Sequence, residues 1–224
     1  MKKFHVILLI SLFLFTSCIG LSIDIRMNSD GSGKLTMEYR ISHTLESLGS
    51  LDGNKDMPTI PVSRLDWDRT IQRVPGSRIA SFSSRQKGQD TITTVVLEYN
   101  NIDTLLTFLS PESSSAPIMT SKNQNSINLI LNDSSLDSND TNKNNAQYDE
   151  ELIELARTMF TGYNFSLIFS APSNSTLAFT NGTGNEIPPP SSVKAITSGK
   201  QVSMSIGIMD LLESREGMGV KLNW

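Results

Sequence analysis

One cysteine and two histidines are all that 224 residues offer of the side chains most used in metal binding and nucleophilic catalysis. A lone cysteine excludes an internal disulfide and a thiolate metal cluster, so the core alone has to stabilise the fold. His5 lies in an apolar leader, which leaves His43 as the only later side chain with an unperturbed pKa near neutrality. A Ser-His-Asp triad would have to use His43, and no Gly-x-Ser-x-Gly elbow accompanies it. At the start of a predicted helix, His43 reads as a solvent-facing or capping residue. Basic residues are outnumbered too, 19 against 23 acidic. Nucleic acid and a polybasic grip on anionic lipid both need clustered Lys and Arg, so the composition argues against either partner. No apolar run reaches the ~20 residues of a membrane-spanning helix.

What the chain does carry is a leader. Met1-Lys2-Lys3 is a basic n-region, Phe4 to Phe15 an almost unbroken apolar run, and Thr16-Ser17 supplies small residues ahead of Cys18. This pattern reads as a bacterial lipoprotein signal, residues 1–17, cleaved before Cys18. Its thiol takes a diacylglycerol group and its freed amine a further acyl chain such as palmitate. Two or more chains at roughly 0.8 kcal/mol per buried methylene give stable attachment. Phe15 stands where the lipobox prefers Leu, with Leu14 one place earlier. The alternative is an ordinary secretory signal with a stray cysteine. Removing the leader leaves 207 residues with 17 basic and 23 acidic side chains. Ile19, in place of the Asp that retains some lipoproteins at the inner membrane, favours onward export. The expected location is the cell envelope, on the periplasmic face or outer surface.

The remainder, 18–224, reads as one α+β domain. Leu21, Ile23, Ile25 and Met27 alternate with polar residues, and so do Leu35, Met37, Tyr39 and Ile41. With the turn cluster Ser29 to Gly33 between them, they predict a β-hairpin that begins almost at the anchor. A short helix is predicted over His43 to Leu51, a loop over Gly53 to Pro61, and a helix from Val62 that Pro75-Gly76 ends. Arg78 to Ser84 and Thr91 to Tyr99 predict a second hairpin, and Asn101 caps a helix from Ile102. Ile118 to Ser121 and Ile127 to Leu131 predict a third strand pair. Residues 132–147 are almost devoid of apolar side chains and read as a disordered insertion. The strongest helical pattern follows, from Tyr148 to Phe160, with acids in its first turn and Gly162 as its stop. Strands follow over Phe165 to Phe169 and Leu177 to Thr180, then a hairpin around Ser198-Gly199-Lys200 and a helical turn from Ile208. The fold class expected is a largely antiparallel sheet built from hairpins, packed on one face by two or three helices.

Three motifs hint at chemistry, and each has a plainer reading. Asp66 and Asp68 point roughly 200° apart on a helix, so they flank a buried Trp67 and do not form a carboxylate pair. Asp30-Gly31-Ser32-Gly33 lacks the later ligands of a calcium loop and reads as a turn. Thr180 to Gly184 lacks the Lys-Ser/Thr of a phosphate loop. The Asn-x-Ser/Thr triplets, from Asn132 to Asn181, read as compositional accidents. Met159, Phe160, Tyr163, Phe165 and Phe169 are candidates to line an apolar pocket, although such residues more often form plain core. No catalytic residue, metal or cofactor is expected.

The order of these landmarks resembles the LppM-like domain of bacterial lipoproteins. It runs from Cys18 to the strand ending Asn28 to Gly33, then through the hairpin feeding Glu98 to Leu105. The late strand from Phe165 to Ala171-Pro172, Asn181-Gly182 and the hairpin around Gly199 complete it. The Asn/Ser insertion departs from that pattern, and so does the lack of a membrane helix before Trp224. The likeness implies an α+β envelope domain with a ligand groove between sheet and helices, and carries no catalytic residues across. Three functional readings stay open. The first is a non-enzymatic binding domain for a lipid or protein at the membrane surface. The others are a structural or assembly factor of the envelope recruited through sheet edges, and an unfamiliar carboxylate-dependent hydrolase. Oligomeric state is not legible.

Overall fold

The computed structural model describes residues 19–42, 63–88, 90–109, 119–123, 125–132, 154, 157, 160, 162–214 and 217–224. The alternating residues 21–41 form the expected hairpin, β1 (Ile19–Met27) against β2 (Gly33–Ser42), in register from Leu21↔Tyr39 to Met27↔Gly33. The second hairpin is β3 (Ser77–Lys87) with β4 (Asp90–Tyr99), and β4 pairs with β2 along its whole length. Late in the chain, β7 (Asn164–Ser170) pairs in parallel with β1 and antiparallel with β11 (Gln201–Gly207). β10 (Lys194–Ser198) closes that edge, which gives a seven-stranded order β10-β11-β7-β1-β2-β4-β3.

A single sheet built from hairpins is the expectation, and here the structure corrects it. A second sheet joins β5 (Met119–Asn123), β6 (Ser126–Asn132), β12 (Met218–Asn223), β8 (Thr176–Thr180) and β9 (Glu186–Ile187) in the order β5-β6-β12-β8-β9. The fold is therefore dominated by sheet, antiparallel everywhere except where β1 meets β7.

Period-2 alternation gives the large sheet one apolar face. One row across five strands reads Val202, Phe169, Ile25, Leu35 and Leu97, each at most 2% exposed. In the second sheet Leu129, Val220 and Phe179 are neighbours in a buried row of their own. Both rows belong to the same core, and the rings of Phe169 and Trp224 meet there at 5.6 Å. Each side chain buried in this way stabilises the fold by roughly 1.5–3 kcal/mol.

The helices are short and locally specified. α1 (Arg64–Gln72) starts at a capping box, with Ser63 Oγ accepting from Asp66 N–H and Asp66 accepting from Ser63 N–H. Its Trp67 is buried, stacks on Phe108 at 5.9 Å and donates its indole N–H to the Tyr39 hydroxyl at 3.1 Å. Asn101 accepts from Thr104 N–H at 2.9 Å and caps α2 (Ile102–Leu109), which buries Leu105 and Leu109. α3 (Ile208–Leu212) follows β11 without a break. Glu154, Arg157 and Phe160 are helical, and Arg157 bridges Glu154 and Glu213 at 2.6 and 2.7 Å. The leader, Cys18, the segments expected at 43–51 and 53–61, residues 133–147 of the expected 132–147 insertion and most of 148–160 lie outside the described residues, while Asn132 ends β6 and is not part of an insertion.

Candidate functional site

β1 has two ends, and each carries a distinct feature. At its beginning Ile19 is the residue after Cys18, so no spacer separates the proposed anchor position from the central strand of seven. Gly20 is buried there, and a Cβ on it would come within 2.6 Å of Ile208 and 2.9 Å of Tyr163. Gly20 thus packs against α3 and against the residue that precedes β7.

At the other end of β1 lies a cleft of about 430 Å³. Arg26, Asn28, Ser32, Gly33, Lys34, Arg78, Glu98, Tyr99 and Asn100 line it. Cross-strand register builds its wall. Arg26 on β1 faces Lys34 on β2, Lys34 faces Glu98 on β4, and Glu98 faces Arg78 on β3. The row runs plus, plus, minus, plus over three inter-strand steps, about 14 Å at ~4.8 Å each. Like charges directly opposite one another destabilise a ladder, so packing alone gives no reason to set Arg26 against Lys34. Asp24 relieves part of the repulsion through its bond from Arg26 Nη2 at 2.9 Å. Glu98 relieves the rest, with Lys34 at 3.2 Å and an ion pair to Arg78. The hydrogen bond from Lys34 and the charges of Arg78 and Lys34 hold the Glu98 carboxyl below the ordinary carboxylate range. Three cations stand against Glu98 in the lining, with Asp24 paired to Arg26 just outside it.

The rim is locally closed. Asn28 N–H donates to Ser32 O at 2.8 Å, and Asp30 accepts from both the backbone and hydroxyl of Ser32 at 3.0 and 2.7 Å. These bonds lower the Asp30 pKa and account for the carboxylate as part of a turn. Below the rim Tyr99 is 4% exposed and donates to the Arg26 carbonyl at 3.2 Å, and burial raises its pKa far above the usual tyrosine value. Exposed guanidinium and ammonium groups beside amides and a hydroxyl can hold a carboxylate or phosphate by charge-assisted hydrogen bonds.

The candidates named from the sequence fall elsewhere. Phe165 and Phe169 are buried on the inner face of β7, Tyr163 is half-buried and donates to Asp90 at 3.2 Å, and Phe160 is half-buried. Met159 and Cys18 lie outside the described residues. None of the four described aromatic candidates lines the basic cleft. Asp66 caps α1 while Asp68 pairs with Arg64 at 3.0 Å, so the two acids serve separate structural bonds. Asn181 accepts from Thr183 and Asn185 N–H groups, which makes the 180–184 run a self-contained turn. Among the described residues no three His, Cys, Asp or Glu side chains converge as metal ligands.

Arg26, Lys34, Glu98 and Arg78 were not legible as a site because β2 and β4 are joined only through a long-range pairing. A partial signal existed. The turn at 28–33 and the Glu98-Tyr99-Asn100 triplet, both landmarks of the LppM-like resemblance, meet in this cleft. No family model matches the chain, and no curated protein is significantly similar to it.

Proposed function

We propose that this chain is a lipid-anchored, non-enzymatic domain of the bacterial cell envelope that binds an anionic partner through its basic cleft. The observation that carries the reading is the course of β1. It starts at the residue after the proposed lipidated Cys18 and reaches Arg26, its last residue but one, about 23 Å of strand further on. An anchor at one end and a cationic cleft at the other display the cleft away from the attachment point. Trp67 of α1 and Leu105 of α2, buried in the common core, support reading the chain as an α+β domain of the LppM-like kind. No helix among the described residues is long and apolar enough to cross a membrane.

A hydrolytic role has less support. The carboxylate in the cleft, Glu98, is pushed towards ionisation, the opposite of what a general acid needs. Recruitment through sheet edges is the second reading, favoured by β10, whose five residues are all exposed.

Titrating a hexaglutamate peptide into the full chain in detergent micelles tests the cleft. Joint Arg26→Glu and Arg78→Glu substitution is expected to weaken binding by roughly tenfold or more, and Glu98→Gln to tighten it. Affinity that is indifferent to all three changes contradicts the reading.

A further inference from the structure

Four strands end the two sheets, and they differ in length and charge. β10 and β5 have five residues each and β9 has two, whereas β3 has eleven. Among the described residues nothing pairs with the outer edge of β3, and only Ser77, Ile79 and Phe82 are less than fully exposed. A bulge lies between Ile79 and Ser81, after which Ser81 to Lys87 run uninterrupted against Val96 to Asp90. Seven such residues span about 23 Å, enough for one added strand.

The sequence of β3 contains Arg78, Arg85 and Lys87 and no acid, on a chain whose net charge is −4. Register places all three cations on the same face, with Ser81 and Ser83 between them. Arg78 is taken by Glu98. Opposite Arg85 stands Ile92, which offers no charge. Opposite Lys87 stands Asp90, already engaged by Arg40 and by the Tyr163 hydroxyl. Among the described residues Arg85 and Lys87 form no ion pair. Ile79 and Phe82, on the other face, are half-buried against the core.

Edge strands are normally short or blunted, and lysine or arginine on an edge discourages pairing with an identical copy. The same charges favour a strand of opposite sign. We infer that the outer edge of β3 is a docking site for an extended acidic segment of another protein, which joins the sheet as an eighth strand. Backbone hydrogen bonds to Ser81 to Lys87 supply affinity, and alternation supplies selectivity. Acids at every second position meet Arg85 and Lys87, while apolar residues between them extend the face that holds Ile79 and Phe82. The inference goes beyond the cleft reading, because neither Arg85 nor Lys87 lines the cleft.

The test uses the full chain in detergent with three nine-residue probes: alternating Glu-Val, alternating Lys-Val, and a block peptide of the Glu-Val composition without alternation. The alternating acidic peptide is expected to bind best and to slow hydrogen exchange at alternate amides of residues 81–87. Joint Arg85→Glu and Lys87→Glu substitution should weaken it by roughly tenfold or more and admit the Lys-Val peptide instead, with thermal unfolding unchanged. Both residues are exposed, so the substitution does not endanger the fold. No binding by about 1 mM, the weak end of transient recognition, overturns the inference. So do equal binding of the block peptide, protection that falls elsewhere than β3, or a peptide-free dimer paired through this edge.

Discussion

Arg26 and Lys34 repel across the ladder that joins them, and a residue that costs stability where it stands is a candidate for function. Glu98 keeps Arg78 as a partner when Lys34 is removed, and exposed ion pairs contribute about 0–1 kcal/mol. Lys34→Thr is therefore expected to leave the unfolding free energy unchanged or raised by up to about 1 kcal/mol while weakening anion binding. A urea titration checks this, and a loss beyond about 1 kcal/mol contradicts it. Tyr99 behaves differently. Burial raises its pKa in the folded chain above the value of 10.0 for an unperturbed tyrosine, and burial also raises that of Tyr39. Above about pH 10 the unfolded chain loses these protons while the folded one keeps them, so stability falls as pH rises. Tyr99→Phe should flatten that alkaline decline in urea midpoints measured between about pH 8 and 11. An unaltered slope would show that Tyr99 is not the titrating group. None of this was legible from composition, because Tyr99 looks like any alternating strand residue until β2 and Arg26 are set beside it.

Local elements were readable wherever a turn and its two strands lie close in sequence. The hairpins at 21–41 and 193–206 and the Asn101 cap follow from alternation and capping chemistry, whereas α1 ends at Gln72, short of the expected Pro75-Gly76 stop. The parallel β1–β7 pairing brings Ile23 beside Leu167 across more than a hundred intervening residues, and no local pattern announces it. β12 escaped notice for another reason. Met218, Val220 and Leu222 do alternate, but the strand has six residues and two glycines at its start, Gly217 and Gly219, dilute the pattern. That strand is the centre of the second sheet, so missing it reduced two sheets to one. Gly219 is required by close approach. A Cβ there would meet Thr180 Oγ1 at 2.5 Å and the Leu129 carbonyl at 2.8 Å, and neither backbone nor buried threonine has room to retreat. Gly219→Val is expected to destabilise by about 1–3 kcal/mol in denaturant unfolding, the range for overpacked sites. An unshifted midpoint would contradict the packing described for β6, β12 and β8.

Across the whole molecule, one strand connects the proposed anchor to the proposed binding cleft. β1 receives the chain at the proposed membrane end, is paired on both sides by long partners and delivers Arg26 to the cleft. β1 sits fourth in the seven-stranded order, and Gly20 packs closely against Tyr163 and Ile208. Lipidation at Cys18, as proposed, would place the attachment one residue before this central strand. Everything proposed for location rests on a thioether at Cys18. Its most direct test is metabolic labelling with a palmitate analogue in a bacterial host, comparing the wild-type chain with Cys18→Ala. Label on the wild type and none on the variant is the predicted result; equal labelling of both, or of neither, contradicts it.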